Sequence, residues 1–168
     1  GRSRFTLALS SGQEITKIGD FDNLCEIEIE IGLLKNLIDK TEFAMALQDV
    51  RHYLNGLLLE VQDGLIRAVA TDGHRLAMAE ENVKVESGEL IQSIIPRKGV
   101  IEINRLLSGF DKATKAELRL GTNHLKIMIS DEVSLTTKLL EGAFPNYNKV
   151  IPSQTLTPLQ NHSNRYHT

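Results

Sequence analysis

The most chemically suggestive feature of the sequence is an aspartate and a histidine two positions apart, in the segment VATDGHRLAMA at residues 69–79. Asp72 and His74 could serve as the acid and base of a hydrolase. No nucleophile, second carboxylate or metal ligand occurs at a spacing that would complete such a site. Asp-Gly is also a favoured dipeptide in hairpin turns. We therefore expect a turn with a polar rim, and keep a hydrolase using Asp72 and His74 as an alternative.

The sequence predicts neither a metal site nor a cofactor. Its five histidines are scattered, and His162 and His167 lie in a polar C-terminal segment. The single cysteine, Cys25, cannot form an intramolecular disulfide and leaves no cysteine pair for zinc, which favours a reducing compartment such as the cytoplasm. There is no glycine-rich phosphate loop, and no apolar run is long enough to cross a bilayer.

Basic residues give a second, weaker signal. Lys98 and Arg105 are seven positions apart and would share one face of a helix that begins near Arg97. The chain of 168 residues has a net charge of −3, so any contact with nucleic acid would need such local clustering. By spacing alone, these residues, like Gln48 and Arg51, are most simply a solvated surface.

The elements that position these residues follow an order that is used twice. CEIEIEI at 25–31 alternates with the period of a half-buried strand, and residues 32–46 have the apolar spacing of an amphipathic helix. A second strand and helix are predicted at 89–96 and 97–110. Each helix is followed by three predicted strands, at 52–62, 65–71 and 74–82 in the first unit and at 115–121, 124–130 and 133–140 in the second.

This order predicts an α+β fold in which two helices pack side by side on curved antiparallel sheets. On the first helix, Leu34, Leu37, Ile38 and either Phe43 or Ala44 form the apolar stripe. On the second helix, the stripe consists of Val100, Ile103, Leu107 and Phe110.

Four longer segments make the pattern recognisable: FAMALQDVRHYLNGLLLEV, AVATDGHRLAMAE, IIPRKGVIEINRLL and LLEGAFPNYNKVIP. In order and spacing they resemble the middle domain of the bacterial sliding clamps, the beta subunits of DNA polymerase III. The resemblance divides the chain into residues 1–23, the end of the first clamp domain and a linker; 24–150, a complete middle domain; and 151–168, a linker or the start of a truncated third domain. We therefore expect a clamp fragment.

The resemblance implies a function without catalysis. Clamps of this family form a head-to-tail homodimeric ring that encircles duplex DNA regardless of sequence and acts as a cytoplasmic processivity factor. Short peptides of DNA polymerase III, the clamp loader and repair polymerases bind to it. The positions that match the family's DNA-facing surface are Gln48, Arg97, Lys98 and Arg105.

The resemblance also implies a peptide-binding pocket. Apolar members would hold a peptide's leucine and aromatic anchors, and arginines would border them. Lys149 departs from the family because an arginine is expected there, and His52 replaces a residue that is often aromatic. A second alternative is an isolated peptide-binding module without ring closure. The positions that match the pocket are Arg51, Tyr53, Leu54, Thr71, Gly73, His74, Arg75, Leu76, Pro145, Lys149 and Val150.

Overall fold

The structure, a computed structural model, describes residues 23–85 and 88–147. The strand predicted near the N-terminus, the C-terminal segment, and two pocket candidates, Lys149 and Val150, lie outside these residues. The elements follow the predicted order of a strand, a helix and three strands, used twice. They are β1 (Cys25–Glu30), α1 (Ile31–Asp39), β2 (Gly56–Gln62), β3 (Leu65–Thr71), β4 (Leu76–Asn82), β5 (Ile91–Pro96), α2 (Arg97–Leu107), β6 (Lys115–Leu120), β7 (His124–Met128) and β8 (Ser134–Lys138).

The strands form two four-stranded antiparallel sheets. The two units exchange their first strands, so that the first strand of each unit joins the sheet formed by the other unit. The first sheet has the order β1-β6-β7-β8, and the second has the order β4-β3-β2-β5. Each sheet therefore combines the first strand of one unit with the three later strands of the other. The exchange places the two helices beside each other, where the Lys35 ammonium donates to Asn104 Oδ1 at 2.8 Å.

One large core joins both sheets to both helices. The inward residues of β1 to β8 pack against the apolar stripes of α1 and α2, which confirms the predicted α+β architecture. Leu37 and Leu107, one on each helix, are both 0% exposed. This packing leaves one face of each sheet directed away from the helices, and those outer faces differ between the two sheets.

Helix α1 is shorter than its sequence pattern suggested. Thr41 Oγ1 donates to the Leu37 carbonyl at 2.7 Å, and the Thr41 N–H bonds the Ile38 carbonyl at 3.1 Å, which tightens the last turn. A short 3-10 helix, Glu42–Ala44, follows. Of the two alternatives for the apolar stripe, Ala44 is buried and Phe43 is 56% exposed.

Two other boundaries differ from the sequence pattern. Residues 52–55 form a 3-10 helix, in which the Leu54 N–H bonds the Arg51 carbonyl, instead of the start of a strand. Helix α2 ends at Leu107, so Phe110 lies beyond it and is 36% exposed. None of the described helices is long and apolar enough to cross a membrane.

Candidate peptide-binding site and helix surface

The hairpin between β3 and β4 presents consecutive candidate residues. Thr71 pairs with Leu76 across it, and Gly73 has a φ of +95°, a conformation that favours glycine. Thr71 Oγ1 accepts the Gly73 N–H at 3.1 Å and donates to the Arg75 carbonyl at 2.5 Å. Gly73, His74 and Arg75 are exposed, whereas Thr71 is buried. The tip of the hairpin is therefore open to solvent, and the buried Thr71 side chain stabilises its conformation. We call the exposed residues 73–75 the hairpin rim.

The Asp72 carboxylate stabilises this turn. Its Oδ1 accepts the N–H groups of His74 and Arg75 at 2.8 and 3.0 Å, and its Oδ2 accepts Arg75 Nε at 3.2 Å. These bonds, that from the His74 N–H above all, lower the pKa of Asp72. Within residues 23–85 and 88–147, no group of His, Cys, Asp and Glu side chains is suited to a metal ion. The Asp72 carboxylate is thus engaged in the turn through three hydrogen bonds, and this geometry adds no support for the alternative of a hydrolase using Asp72 and His74.

Arg51 reaches the hairpin from a neighbouring loop. The Asp49 carboxylate accepts two hydrogen bonds of 3.0 Å from its guanidinium and one of 2.8 Å from its N–H. The hydrogen bond from the Arg51 side chain is the largest cause that lowers the pKa of Asp49 to about 2. Asn55 closes the loop, since its side chain bonds both the N–H and the carbonyl of Asp49. A Cβ built on Gly73 would lie 3.3 Å from Arg51 Nη2, so glycine leaves room for the guanidinium.

Phe43 adds an exposed aromatic ring to this rim. The Arg75 guanidinium lies 5.5 Å from the ring centroid, within the range of a cation–π contact. Leu47 and Val50, on the loop that follows, are 69% and 88% exposed. The hairpin therefore has an exposed aromatic ring beside Arg75, and the loop that follows Phe43 carries two further exposed apolar residues.

A second apolar cluster lies on the outer face of the β4-β3-β2-β5 sheet. Leu58 pairs with both Val69 and Ile94, so the three form a row across β3, β2 and β5. They are buried together with Tyr147, from the segment that follows β8. Three strands thus bury side chains on both faces of this sheet. The partly buried residues around the cluster are Tyr53, Leu76, Met78, Leu140 and Phe144.

Several pocket candidates border this outer cluster. Tyr53 and Leu76 pack against it, and the 3-10 helix that carries Leu54 contacts β2 and β5. Leu54 is 2% exposed. Pro145 is half-buried between Phe144 and Tyr147, both of which belong to the cluster. The structure therefore packs Tyr53 and Leu76 against one apolar cluster, and it places Leu54 and Pro145 on segments that adjoin this cluster.

The candidate DNA-facing residues lie on the helix side of the molecule and on one loop. Lys98 and Arg105 are exposed on α2, and Ile101, 42% exposed, lies between them on the same face. Arg97 is half-buried at the first turn. Gln48 is exposed on the loop that carries Arg51, with a φ of +57°.

Sequence reasoning missed residues that hold the site in place. Asp49 and Asn55 were overlooked because a polar loop residue is usually solvated, and Phe43 because its spacing fitted the buried stripe. Tyr147 lies in the segment LLEGAFPNYNKVIP, where nothing local distinguishes a buried tyrosine from an exposed one. An aspartate two residues before an arginine in a loop is the one local signal that could have identified the Asp49–Arg51 pair.

Two four-stranded antiparallel sheets packed against a pair of helices have the architecture of a DNA-clamp domain. Residues 28–146 match the sequence model of the family described as "DNA polymerase III beta subunit, central domain". The chain therefore belongs to the family of the DNA polymerase III beta subunits, the bacterial sliding clamps.

Individual relatives agree with this assignment. The chain is 43% identical over 152 residues to the beta sliding clamp of Pseudomonas aeruginosa, covering 90% of this chain and 41% of that protein. A crystal structure of the P. aeruginosa sliding clamp superimposes with a TM-score of 0.74 and 44% identity, covering 78% and 36% of the two chains. A further P. aeruginosa clamp structure, bound to griselimycin, has a TM-score of 0.72 and 44% identity, covering 78% and 35%. The chain spans about two fifths of the length of these curated relatives.

Proposed function

We propose that this chain acts as part of a processivity factor in bacterial DNA replication. It would supply the central domain of a ring that encircles duplex DNA and holds DNA polymerase III on its template. The observation that carries this proposal is the outer apolar cluster with its open hairpin rim, on a domain that belongs to the sliding-clamp family.

The proposed ligand of the outer face is a short peptide with leucine and aromatic anchors. Leu76 and Pro145, both half-buried, leave apolar surface available at the edge of a packed cluster. Arg51 and Arg75, both exposed, would attract the carboxylates or main-chain carbonyls of such a peptide. Peptides of polymerases, the clamp loader and repair polymerases would compete for this one socket.

The proposed contact with DNA is weak and independent of sequence. Lys98 and Arg105 present two cations on one exposed helix face, while Asp39 and Glu102 are acidic residues of the same helix layer. Encirclement requires no tight contact, so a chain with a net charge of −3 is compatible with this role. Gln48 and Arg97 would add polar contacts to the phosphates.

We also propose that the chain has no catalytic activity and works in the cytoplasm as part of a head-to-tail homodimer. Support for the absence of catalysis comes from Asp72, whose carboxylate is occupied within the turn. The proposed layout retains residues 24–150 as the middle clamp domain, 1–23 as the end of a first domain and 151–168 as a linker or the start of a third. The family match over 28–146 supports the central part of that layout.

The test is a fluorescence-anisotropy titration of a labelled peptide that carries glutamine, leucine and phenylalanine anchors. We expect saturable binding that Leu76→Ala weakens about tenfold, because a half-buried leucine supplies much of the socket wall. Leu24→Ala, at an exposed apolar position beside β1, is the matched control and should leave the affinity unchanged.

A second titration with a short labelled DNA duplex separates the two roles. Weak binding that falls with salt and is reduced in the Lys98→Ala, Arg105→Ala double variant would support the DNA-facing surface. Peptide binding without any such DNA contact would favour the isolated peptide-binding module. Failure of the folded chain to bind the peptide at all would contradict the proposed socket.

A further inference from the structure

The segment that closes the outer cluster, residues 139–147, is fixed at both ends. At its start, the Leu139 N–H bonds the Asn123 carbonyl and the Leu140 N–H bonds the Ile94 carbonyl, each at 2.8 Å. At its far end, Tyr147 is 6% exposed. Pro145, a candidate wall of the socket, lies two residues before this second anchor.

The anchor at Tyr147 is a charged row that crosses the outer face of the second sheet. The strand register aligns Glu60 of β2 with Arg67 of β3 and Gln92 of β5, and Arg67 with Glu80 of β4. Gln92 donates to Glu60 Oε2 at 2.7 Å, and Arg67 Nε donates to Glu80 at 2.6 Å. Glu60 is only 4% exposed, so its charge is held in place by partners and not by solvent.

The Tyr147 hydroxyl lies between the two central charges of this row. It donates to Glu60 Oε1 at 2.6 Å and accepts a hydrogen bond from Arg67 Nη1, also at 2.6 Å. Burial, followed by the hydrogen bond to Glu60, raises the pKa of Tyr147 to about 12, so the hydroxyl keeps the proton that it donates. Its ring meanwhile packs in the cluster that contains Leu76 and Phe144.

We infer that Tyr147 is the positioning residue of the peptide socket: its hydroxyl, held by Glu60 and Arg67, sets where Pro145 stands relative to Leu76. The inference rests on the proposed peptide-binding function. The wall carrying Pro145 belongs to an irregular segment, whereas Leu76 belongs to a sheet strand. The spacing between them therefore depends on what ties the segment to the sheet. The Tyr147 hydroxyl joins the segment to the sheet through two short, charge-assisted hydrogen bonds.

The test compares Tyr147→Phe with the wild-type chain, using the anchored peptide and a second peptide whose leucine and phenylalanine are replaced by alanine. Tyr147→Phe keeps the aromatic ring but removes the hydroxyl and its hydrogen bonds to Glu60 and Arg67. We expect it to weaken binding of the anchored peptide about fivefold. Binding of the anchorless peptide should not change. A purely structural role would not produce this dependence on the anchors in samples that are fully folded by circular dichroism.

Glu117→Gln is the matched control, because it removes one ion pair of Arg119 on the outer face of the first sheet, away from the row that holds the phenol. It should leave both affinities within about twofold of wild type. If Tyr147→Phe is too unstable to titrate, Glu60→Gln loosens the same hydroxyl and should weaken only the anchored peptide, about threefold.

The possible results separate the inference from the function on which it rests. Unchanged affinity of folded Tyr147→Phe, alongside a wild-type chain that discriminates between the peptides, would overturn the positioning role and leave the socket intact. A wild-type chain that does not distinguish the two peptides would instead remove the proposed function itself.

Discussion

The outer faces of the two sheets occupy corresponding places in a twice-used order of elements, yet they have opposite characters. On the first sheet, Glu26, Glu28 and Arg119 point outward and are exposed or half-exposed. Arg119 forms ion pairs with Glu117 at 3.3 Å and Glu26 at 3.8 Å, which are too exposed to contribute much stability.

On the second sheet the outer face is covered. The row of Leu58, Val69 and Ile94 is buried beneath the segment that ends at Tyr147, and the candidate socket lies at the edge of that cover. Under the proposed function, peptide binding would depend on this second apolar layer.

Among substitutions that test the difference between the two outer faces, we expect the largest loss of stability at Leu58, which is 0% exposed. Leu58→Ala should lower the free energy of unfolding by about 4 kcal/mol, because it leaves a cavity between sheet and segment. Lys126→Ala, at an outward position of the first sheet, should change it by less than about 0.5 kcal/mol. Urea denaturation followed by circular dichroism measures both. Equal losses at the two positions would remove the distinction between the faces.

Alkaline pH should act on the covered face through Tyr147. Because its folded-state pKa is about 12 and its ordinary value is 10.0, the folded chain binds the phenolic proton more tightly than the unfolded chain. The resulting stability is fully present below pH 10 and is lost as the pH rises towards 12, in total up to about 3 kcal/mol. Denaturation at several pH values should show this decline in wild type and a shallower decline in Tyr147→Phe. If the free energy of unfolding declined with pH equally steeply in both chains, the raised pKa of Tyr147 would be contradicted.

The next effect concerns the hairpin rim. Gly73→Ala should cost about 1 kcal/mol of folding stability, since Gly73 has a φ of +95°. The new methyl group would also lie against the Arg51 guanidinium and should weaken binding of the anchored peptide. Gly64→Ala, in the neighbouring hairpin at a φ of +80°, carries a similar backbone cost with no neighbour closer than 3.9 Å. Thermal unfolding should change alike in both variants, and peptide affinity only in Gly73→Ala.

The smallest effect is expected on the charged face. Arg119→Gln removes both ion pairs but should reduce stability by less than about 0.5 kcal/mol. The difference from wild type should shrink further in 1 M NaCl, where charges are screened. A loss several times larger in urea denaturation would show that the first sheet's outer face is as structurally important as the covered one.

Local patterns were enough to predict the elements but not how they are paired. The alternation in CEIEIEI predicts a half-buried strand, which the structure confirms, and the strand predicted at 52–62 is present from Gly56 onward. The exchange of β1 and β5 between the sheets could not be predicted, because pairing between distant strands leaves no periodic signal. Similarly, nothing local indicates that Glu60 would be 4% exposed, since its partners come from β3, β5 and the closing segment.

The candidate site was predictable only through resemblance. Leu54 and Leu76 are ordinary apolar residues, and nothing in their spacing separates a socket from a core. Gly73 is different, because an Asp-Gly pair between two strands predicts the turn and the positive φ that the structure shows. The roles of the pocket and DNA-facing residues stay predictions until they are measured.

The most direct test of the covered outer face as a peptide socket is an NMR titration of the ¹⁵N-labelled chain with the anchored peptide, following backbone amides across both sheets. The account predicts saturable shifts at Gly73, His74 and Leu76, with amides of β1 and β7 unaffected, and loss of these shifts in Leu76→Ala. Shifts spread equally over both outer faces, or none in a folded sample at saturating peptide, would contradict it.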